Sequence, residues 1–199
     1  DGTAEVLTEW SERDRRIKVV HQENSGIPRS YNRALEMVQG EYIAILDADD
    51  LAFPTRLEEQ VSFLDGHRDV GLVGSAELAM EVAARRFWLV NHPVEDRDIR
   101  RSWVHQQVFT HSATMVRRQT LQAVGHYDEN LPVGCDPDLW LRIIEKWKAA
   151  NLPAPLVLRR YHAKQVLRTR RFNIVALNIR MKWMSIRKLK LPAYYYLYL

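Results

Sequence analysis

Glu41-Tyr42-Ile43-Ala44-Ile45-Leu46-Asp47-Ala48-Asp49-Asp50 is the stretch on which the reading of this chain turns. A short apolar run stops in three carboxylates within four positions. Bounded by Gly40 on one side and acids on the other, the run predicts a buried strand. In an open α/β sheet, ligands bind just beyond the carboxyl ends of the strands. Like charges gathered at that place repel one another. A hard divalent cation such as Mg²⁺ or Mn²⁺, which prefers oxygen ligands, would relieve the repulsion. A solvated Asp-rich turn that opens a helix near Pro54 fits the same residues. The stretch by itself leaves both readings open.

The flanking pattern alternates. Upstream, a helix is predicted from Ala4 towards Asp14, a strand over Ile17–His21, and a helix from Pro28 to about Val38 with Gly40 as its C-cap. Downstream, Leu57, Val61 and Leu64 repeat at helical spacing after Pro54, and Val70–Gly74 reads as another buried strand. This alternation predicts a mostly parallel sheet with helices on its faces. From Ser75 to Gln107 the pattern weakens, apart from a charged surface helix over Glu95–Arg101. A strand over His111–Val116 and a short helix over Thr120–Val124 follow. Asp136 then reads as the N-cap of a helix containing Leu139, Trp140, Ile143, Ile144 and Trp147. Leu156–Leu158 is the last expected strand.

The 199 residues suffice for one ordinary domain, and 46% apolar with 27% charged content excludes a disordered chain. With Cys135 as the single cysteine, no intrachain disulfide can form. No apolar run reaches the length of a transmembrane helix. The net charge of +4 hides an asymmetry. Arg159–Leu199 holds 11 of the 29 basic residues and no acid, which leaves 18 basic against 25 acidic residues before it, a net of −7. Such a tail points to an anionic partner. No nucleic-acid motif accompanies it, so nucleic acid is not expected. Residues from about Lys164 to Lys190 predict a basic amphipathic helix, with Ile174, Leu177, Met181, Met184 and Ile186 near one face. Trp183 and the terminal tyrosines are marks of an interfacial helix on an anionic membrane surface. Packing of the helix on the domain is the alternative.

Several blocks, in order, resemble family-2 glycosyltransferases of the GT-A fold. They are Asn24-Ser25-Gly26-Ile27-Pro28 to Asn32, Gly40–Ile43, Leu46–Asp50, Pro54 with Arg56-Leu57, His111–Arg118, Gly125–Asp128 and Asp136–Arg142. The resemblance covers roughly residues 1–165. It implies a GT-A-like transferase domain over 1–162, with a donor and metal part over 1–75, an acceptor part over 76–162 and a basic tail over 163–199. Asp1-Gly2-Thr3 looks like the end of a family loop, so the expectation is a chain lacking the family's first strand, first helix and second strand.

The resemblance also assigns roles. Asp47 and Asp49 would hold the donor's ribose and metal, Mn²⁺ or Mg²⁺, with Asp49 the metal ligand and His162 a candidate further ligand. Arg29 and Asn32 look like donor-side residues. Asp136 matches the catalytic base, with Cys135 where the family usually carries Glu. Asp138 is the alternative base, and Asp138, Trp140 and Arg142 belong to the acceptor side, Trp140 reading more readily as core. The implied activity is inverting transfer from a nucleotide-sugar, UDP-linked or related, to a glycan or lipid-linked acceptor, at the cytoplasmic side of the plasma membrane. Two rivals remain at this stage. One is a donor-incompetent domain that only binds a membrane or partner. The other is an Asp-x-Asp phosphotransferase or phosphatase, against which Leu51 and the lack of a matching lysine motif argue.

Overall fold

The computed structural model describes residues 2–163 and 174–198. Helices α1 (Thr3–Arg13) and α2 (Ile27–Met37) precede strands β1 (Tyr42–Ala44) and β2 (Leu51–Ala52). Then come α3 (Arg56–Gly66), β3 (Val70–Glu81), β4 (Arg86–Val90), α4 (Asp96–Ser102), β5 (Met115–Arg117), α5 (Arg118–Val124), α6 (Cys135–Lys146) and β6 (Lys148–Tyr161). A further helix spans Ile174–Lys188, and a 3₁₀ helix, Ala193–Tyr198, follows it.

β3 is the spine of the sheet. β5 pairs with its first half and β4 with its second half, while β6 runs along its other edge. The order is β1-β5-β3-β6-β2, with β4 beside β3. The expected α/β architecture with flanking helices is present, but the sheet is mixed rather than mostly parallel. Among the described strands only β3 and β6 run parallel; the other four pairings are antiparallel. The physical reason is connectivity. β4 returns from β3 through a tight hairpin, which can only be antiparallel, and α3 joins β2 to β3, two strands that are not neighbours.

Other expectations shift too. Ile17–His21 is irregular, because a strand needs a partner and none lies beside it among the described residues. His111–Ala113 is a 3₁₀ turn, and the strand starts only at Met115. Val38, not Gly40, ends α2. Gly134, in the left-handed region at φ 78°, caps α6, so Asp136 lies inside the first turn.

The main core joins α6 to the sheet through Leu72, Phe109, Val116, Leu139, Ile143 and Ile144. Within the expected tail, positions 164–173, the side chains of Ile174 and Leu177, and Leu199 lie outside the described residues. The described part of the helix packs on the domain. Met181, Ser185 and Ile186 are buried, Met184 and Leu189 touch the main core, and Lys188 pairs with Glu145 at 3.4 Å. Among the described residues, no helix is long and apolar enough to cross a membrane.

Candidate active site

The acidic stretch is anchored by backbone and buried arginine. Ile45 N–H donates to Thr114 O at 3.0 Å, and Asp50 N–H to Asp47 O at 3.0 Å, which folds the acids into a turn. Arg56 is buried and donates to the carbonyls of Ile45 (2.7 Å) and Thr114 (3.1 Å), so it ties the end of the β1 segment to the residue before β5. Burial alone pulls its pKa down to about 10. The result gathers Asp47, Asp49 and Asp50, with one carboxylate oxygen from each within 4.8 Å of the others.

Each acid has its own partner. Asp47 accepts from the Tyr31 hydroxyl, lies 3.7 Å from His111 Nδ1, and its N–H donates to Ser112 Oγ at 3.1 Å. Burial pushes its pKa up, but the bonds with His111 and Tyr31 outweigh that and bring it down to about 2. Asp49 meets His162 Nε2 at 2.9 Å. Asp50 accepts from the Arg160 N–H at 2.9 Å instead of capping α3. Burial holds Asp50 above the ordinary carboxylate range.

The second set of acids lies at the start of α6. Asp138 is buried and pairs with Arg142 Nε at 2.9 Å. Arg142 spends its other donors on the carbonyls of Val124 (2.7 Å) and His126 (2.7 Å), so it clamps the α5–α6 connection. Asp136 makes no such ion pair among the described residues, though His111 and Arg159 lie close enough to favour its charged form. A carboxylate at a helix N-terminus would ordinarily be more acidic. Here burial dominates and raises its pKa, opposed chiefly by His111. His111 thus acts on both acid clusters, and its Nε2 is 2.9 Å from the Tyr127 hydroxyl. The rings of Tyr31, Tyr127 and His111 pack on one another at 5.0–5.8 Å between centroids.

Arg29 and Asn32, expected on the donor side, are tied to the loop after α5. Arg29 pairs with Glu129 at 3.0 Å. Asn32 donates to Tyr127 O (2.9 Å) and Glu129 Oε1 (3.0 Å) and accepts from Tyr127 N–H (2.9 Å), so its amide is fully used within the protein. Trp140 is core, edge-on to Phe109 at 5.4 Å. Burial pushes the Cys135 thiol up to about 12, which removes it as a nucleophile near neutral pH. Sequence reasoning missed Tyr31, Ser112, Arg56 and Arg160 as parts of the site. Arg56 and Ser112 sat inside recognisable blocks, whereas nothing local marked Arg160.

A mixed α/β sheet with flanking helices, clustered acids at a strand end and a half-buried carboxylate at a helix start fit the GT-A architecture. Residues 1–125 match the family model described as glycosyl transferase family 2, and the chain belongs to that family. It is 31% identical over 149 residues to an uncharacterized glycosyltransferase of Methanocaldococcus jannaschii, covering 70% of this chain and 49% of the relative. It is 27% identical over 177 residues to the amylovoran biosynthesis glycosyltransferase AmsE of Erwinia amylovora, covering 88% and 66%. The chain therefore spans about half to two thirds of the length of these curated relatives. In fold it is similar to S. aureus TarS in complex with UDP-GlcNAc, with TM-score 0.67 and 14% identity over 94% of this chain and 54% of that one. It is similar too to the mannosyltransferase PcManGT of Pyrobaculum calidifontis in complex with GDP-Man and Mn²⁺, with TM-score 0.63 and 19% identity over 98% and 57%.

Proposed function

We propose that the chain carries out inverting, metal-dependent transfer of a sugar from a nucleotide-sugar, UDP-linked in the first instance, to an acceptor hydroxyl in glycan synthesis. The observation that carries this reading is the meeting of Asp47, Asp49 and Asp50 within 4.8 Å, with His162 on Asp49 at 2.9 Å. That oxygen-rich set suits Mn²⁺ or Mg²⁺, with Asp49 and His162 as the ligands and Asp47 on the donor's ribose side. A bound divalent ion would neutralise charge on the departing nucleoside diphosphate. The nucleotide-sugars in the TarS and PcManGT complexes, and the Mn²⁺ in the latter, support the same assignment.

Asp136 is the proposed base. Among the described residues it makes no ion pair like that of Asp138 with Arg142, and burial raises its proton affinity against the pull of His111 and Arg159, which suits removal of the acceptor's hydroxyl proton. Asp138, neutralised by Arg142, is the weaker choice. Residues 1–75 form the donor part and 76–162 the acceptor part, with Arg160 and His162 reaching back to Asp50 and Asp49. The acceptor is a glycan, free or lipid-linked. The basic tail, expected over 163–199, faces an anionic membrane surface on the cytoplasmic side with its exposed basic side, since Met181, Ser185 and Ile186 are buried against the domain.

Titration of UDP into the protein by calorimetry, with and without Mn²⁺, tests the reading. Binding that requires Mn²⁺ and disappears in Asp49→Ala is the expected result. Metal-independent binding, or none by a folded protein, would overturn it.

A further inference from the structure

On the Glu77 side of the β3–β4 hairpin, two aromatic rings and two ion pairs meet on one sheet face. The strand register aligns Trp88, Ala79 and Arg159 across β4, β3 and β6. Arg86, Glu81 and Tyr161 form the next row, and Val90, Glu77 and Val157 the row before. Paired residues share a face and alternate residues return to it, so these three rows project from one side and Leu78 and Leu89 from the other. The Trp88 and Tyr161 rings lie 5.5 Å apart, and Arg159 lies over the Tyr161 ring at 4.9 Å. Both β3 and β6 also pack against the 3₁₀ turn that holds His111.

Arg159 is the centre of this group. Its Nη1 is 3.6 Å from Glu77 Oε1, an ion pair rather than a hydrogen bond. Its side chain is only 24% exposed, yet its guanidinium donates no hydrogen bond among the described residues. Glu77 is buried beside it, and neither carboxylate oxygen has a hydrogen-bond partner among the described residues. Buried polar groups are ordinarily hydrogen-bonded, so idle donors and acceptors gathered at one place point to a ligand. Burial sets the Asp136 pKa first, and Arg159, like His111, pulls against it, so the guanidinium lies within electrostatic reach of the candidate base. The residues first expected on the acceptor side are spent inside the protein. Trp140 is core, and Asp138 and Arg142 hold each other and the α5–α6 connection.

Charge and shape select the ligand. Glu77 offsets Arg159, and Glu81 offsets Arg86 at 3.1 Å, so no unbalanced positive charge invites an anion, and nearby Asp136 repels one. Trp88 is 38% exposed and offers apolar ring surface beside Tyr161. Arg86 crosses the Trp88 ring at 5.7 Å from a side chain 72% exposed, so it gives way to a ligand at little cost. A pyranose ring fits both features. Its C–H faces pack on aromatic surface, and its hydroxyl oxygens accept charge-assisted hydrogen bonds from a guanidinium. We propose that Arg159, Trp88 and Tyr161 hold an uncharged pyranose unit of the acceptor, with Glu77 fixing the guanidinium. This rests on the transferase reading above and adds to it the acceptor's class and the side chains that select it.

Saturation-transfer NMR on the full chain, with and without UDP and Mn²⁺, tests it. The probes are uncharged methyl pyranosides (gluco, galacto, manno and N-acetylglucosamine forms), set against glucose 6-phosphate. At least one methyl pyranoside is expected to bind, with saturation strongest at its ring C–H protons, and glucose 6-phosphate is expected to bind more weakly. Trp88→Leu removes the ring but keeps apolar bulk, and is expected to bind that pyranoside on the order of tenfold more weakly. The pair Glu77→Gln, Arg159→Gln removes both charges together and is expected to show a similar loss. Thermal melting confirms that both variants are folded, and their Mn²⁺-linked UDP binding by calorimetry is expected to be unchanged. Pyranoside affinities equal to those of the unaltered chain overturn the proposal. So does a preference for glucose 6-phosphate, or absence of pyranoside binding by a chain that binds UDP with Mn²⁺. Pyranoside binding that falls in the variants, in a chain that does not bind UDP, supports the sugar site and overturns the donor reading instead. A folded chain that binds neither overturns both.

Discussion

The two acid clusters of this chain are built on opposite principles. At Asp47–Asp50 every carboxylate is met by a partner from elsewhere in the chain: Tyr31 and His111 on Asp47, His162 on Asp49, the Arg160 N–H on Asp50. At the start of α6 the two acids are treated unequally. Asp138 is paired with Arg142, whereas half-buried Asp136 makes no ion pair among the described residues and feels His111 and Arg159 only at longer range. A carboxylate with hydrogen bonds to its charged form stays ionised and can hold a cation. One whose burial outweighs its partners gains proton affinity and can take a proton. The difference separates Asp47 from Asp136, although both stand in the sequence in an Asp-x-Asp, and Asp50, raised by burial despite the Arg160 N–H, falls between them.

The sharpest way to break this contrast is to neutralise the α6 acids one at a time. Asp136→Asn is expected to lower transfer rates by roughly 10²–10⁴-fold while leaving Mn²⁺-linked UDP binding unchanged. Initial rates and calorimetry on the same protein check this. With the base in place, kcat/KM should rise with pH through a value above the ordinary aspartate range, because burial raises Asp136. If Asp138→Asn gives the same loss of rate at unchanged stability, the assignment of the base moves to Asp138.

Arg142→Ala tests the paired side of the same cluster. It leaves Asp138 buried without its cation and frees the carbonyls of Val124 and His126. Breaking a buried pair by removing one partner costs about 3 kcal/mol, readable as a lower urea midpoint. A loss under half that size would mean that Arg142 is not the clamp the geometry describes.

How much of this was legible in the sequence depends on distance along the chain. The acids of Asp47–Asp50 could be read directly, because an apolar run ending in carboxylates is a local signal. Asp136 stood out as a base only through its resemblance to a family block, and by its own residues it read as an N-cap, whereas Gly134 takes that place and burial raises the Asp136 pKa. Arg160 reaches Asp50 across 110 positions, through a strand pairing that no local pattern announces. The β3–β4 hairpin was missed for a different reason. Its outward leucines and inward Glu77 invert the usual alternation, so the stretch after Ser75 looked weakly structured although β3 is 12 residues long. Mixed rather than mostly parallel pairing likewise depends on which strands become neighbours, not on the order of elements.

His162 gives a smaller effect that sharpens the binding side of the comparison. It lies on Asp49 in a region read only through analogy. His162→Ala is expected to weaken Mn²⁺-linked UDP binding about 10–100-fold, the range typical of supporting ligand contacts. Unchanged affinity would reduce the site to the three aspartates. Asp47→Asn distinguishes the roles within that cluster, since it removes the carboxylate held by Tyr31 and His111 but leaves the Asp49–His162 contact standing.

The smallest expected effect concerns pH. Asp47 has a folded pKa of about 2, below the unfolded aspartate value near 4. A carboxylate with a depressed folded pKa contributes stability that is fully present above the unfolded value and is lost as pH falls through the folded one. Its side chain is 39% exposed, so solvent screening reduces the contribution to about 1 kcal/mol. Denaturation at a series of pH values between 5 and 2 should therefore show the unaltered chain losing that much more stability than Asp47→Asn, with the two curves running parallel above pH 5. Asp50 opposes this trend, because burial raises its pKa and protonation relieves it. Comparison of Asp50→Asn with the double variant Asp47→Asn, Asp50→Asn isolates the Asp47 contribution. Curves that stay parallel throughout would mean that Tyr31 and His111 position Asp47 without stabilising its charge, and the binding cluster would then resemble Asp136 more closely than its geometry indicates.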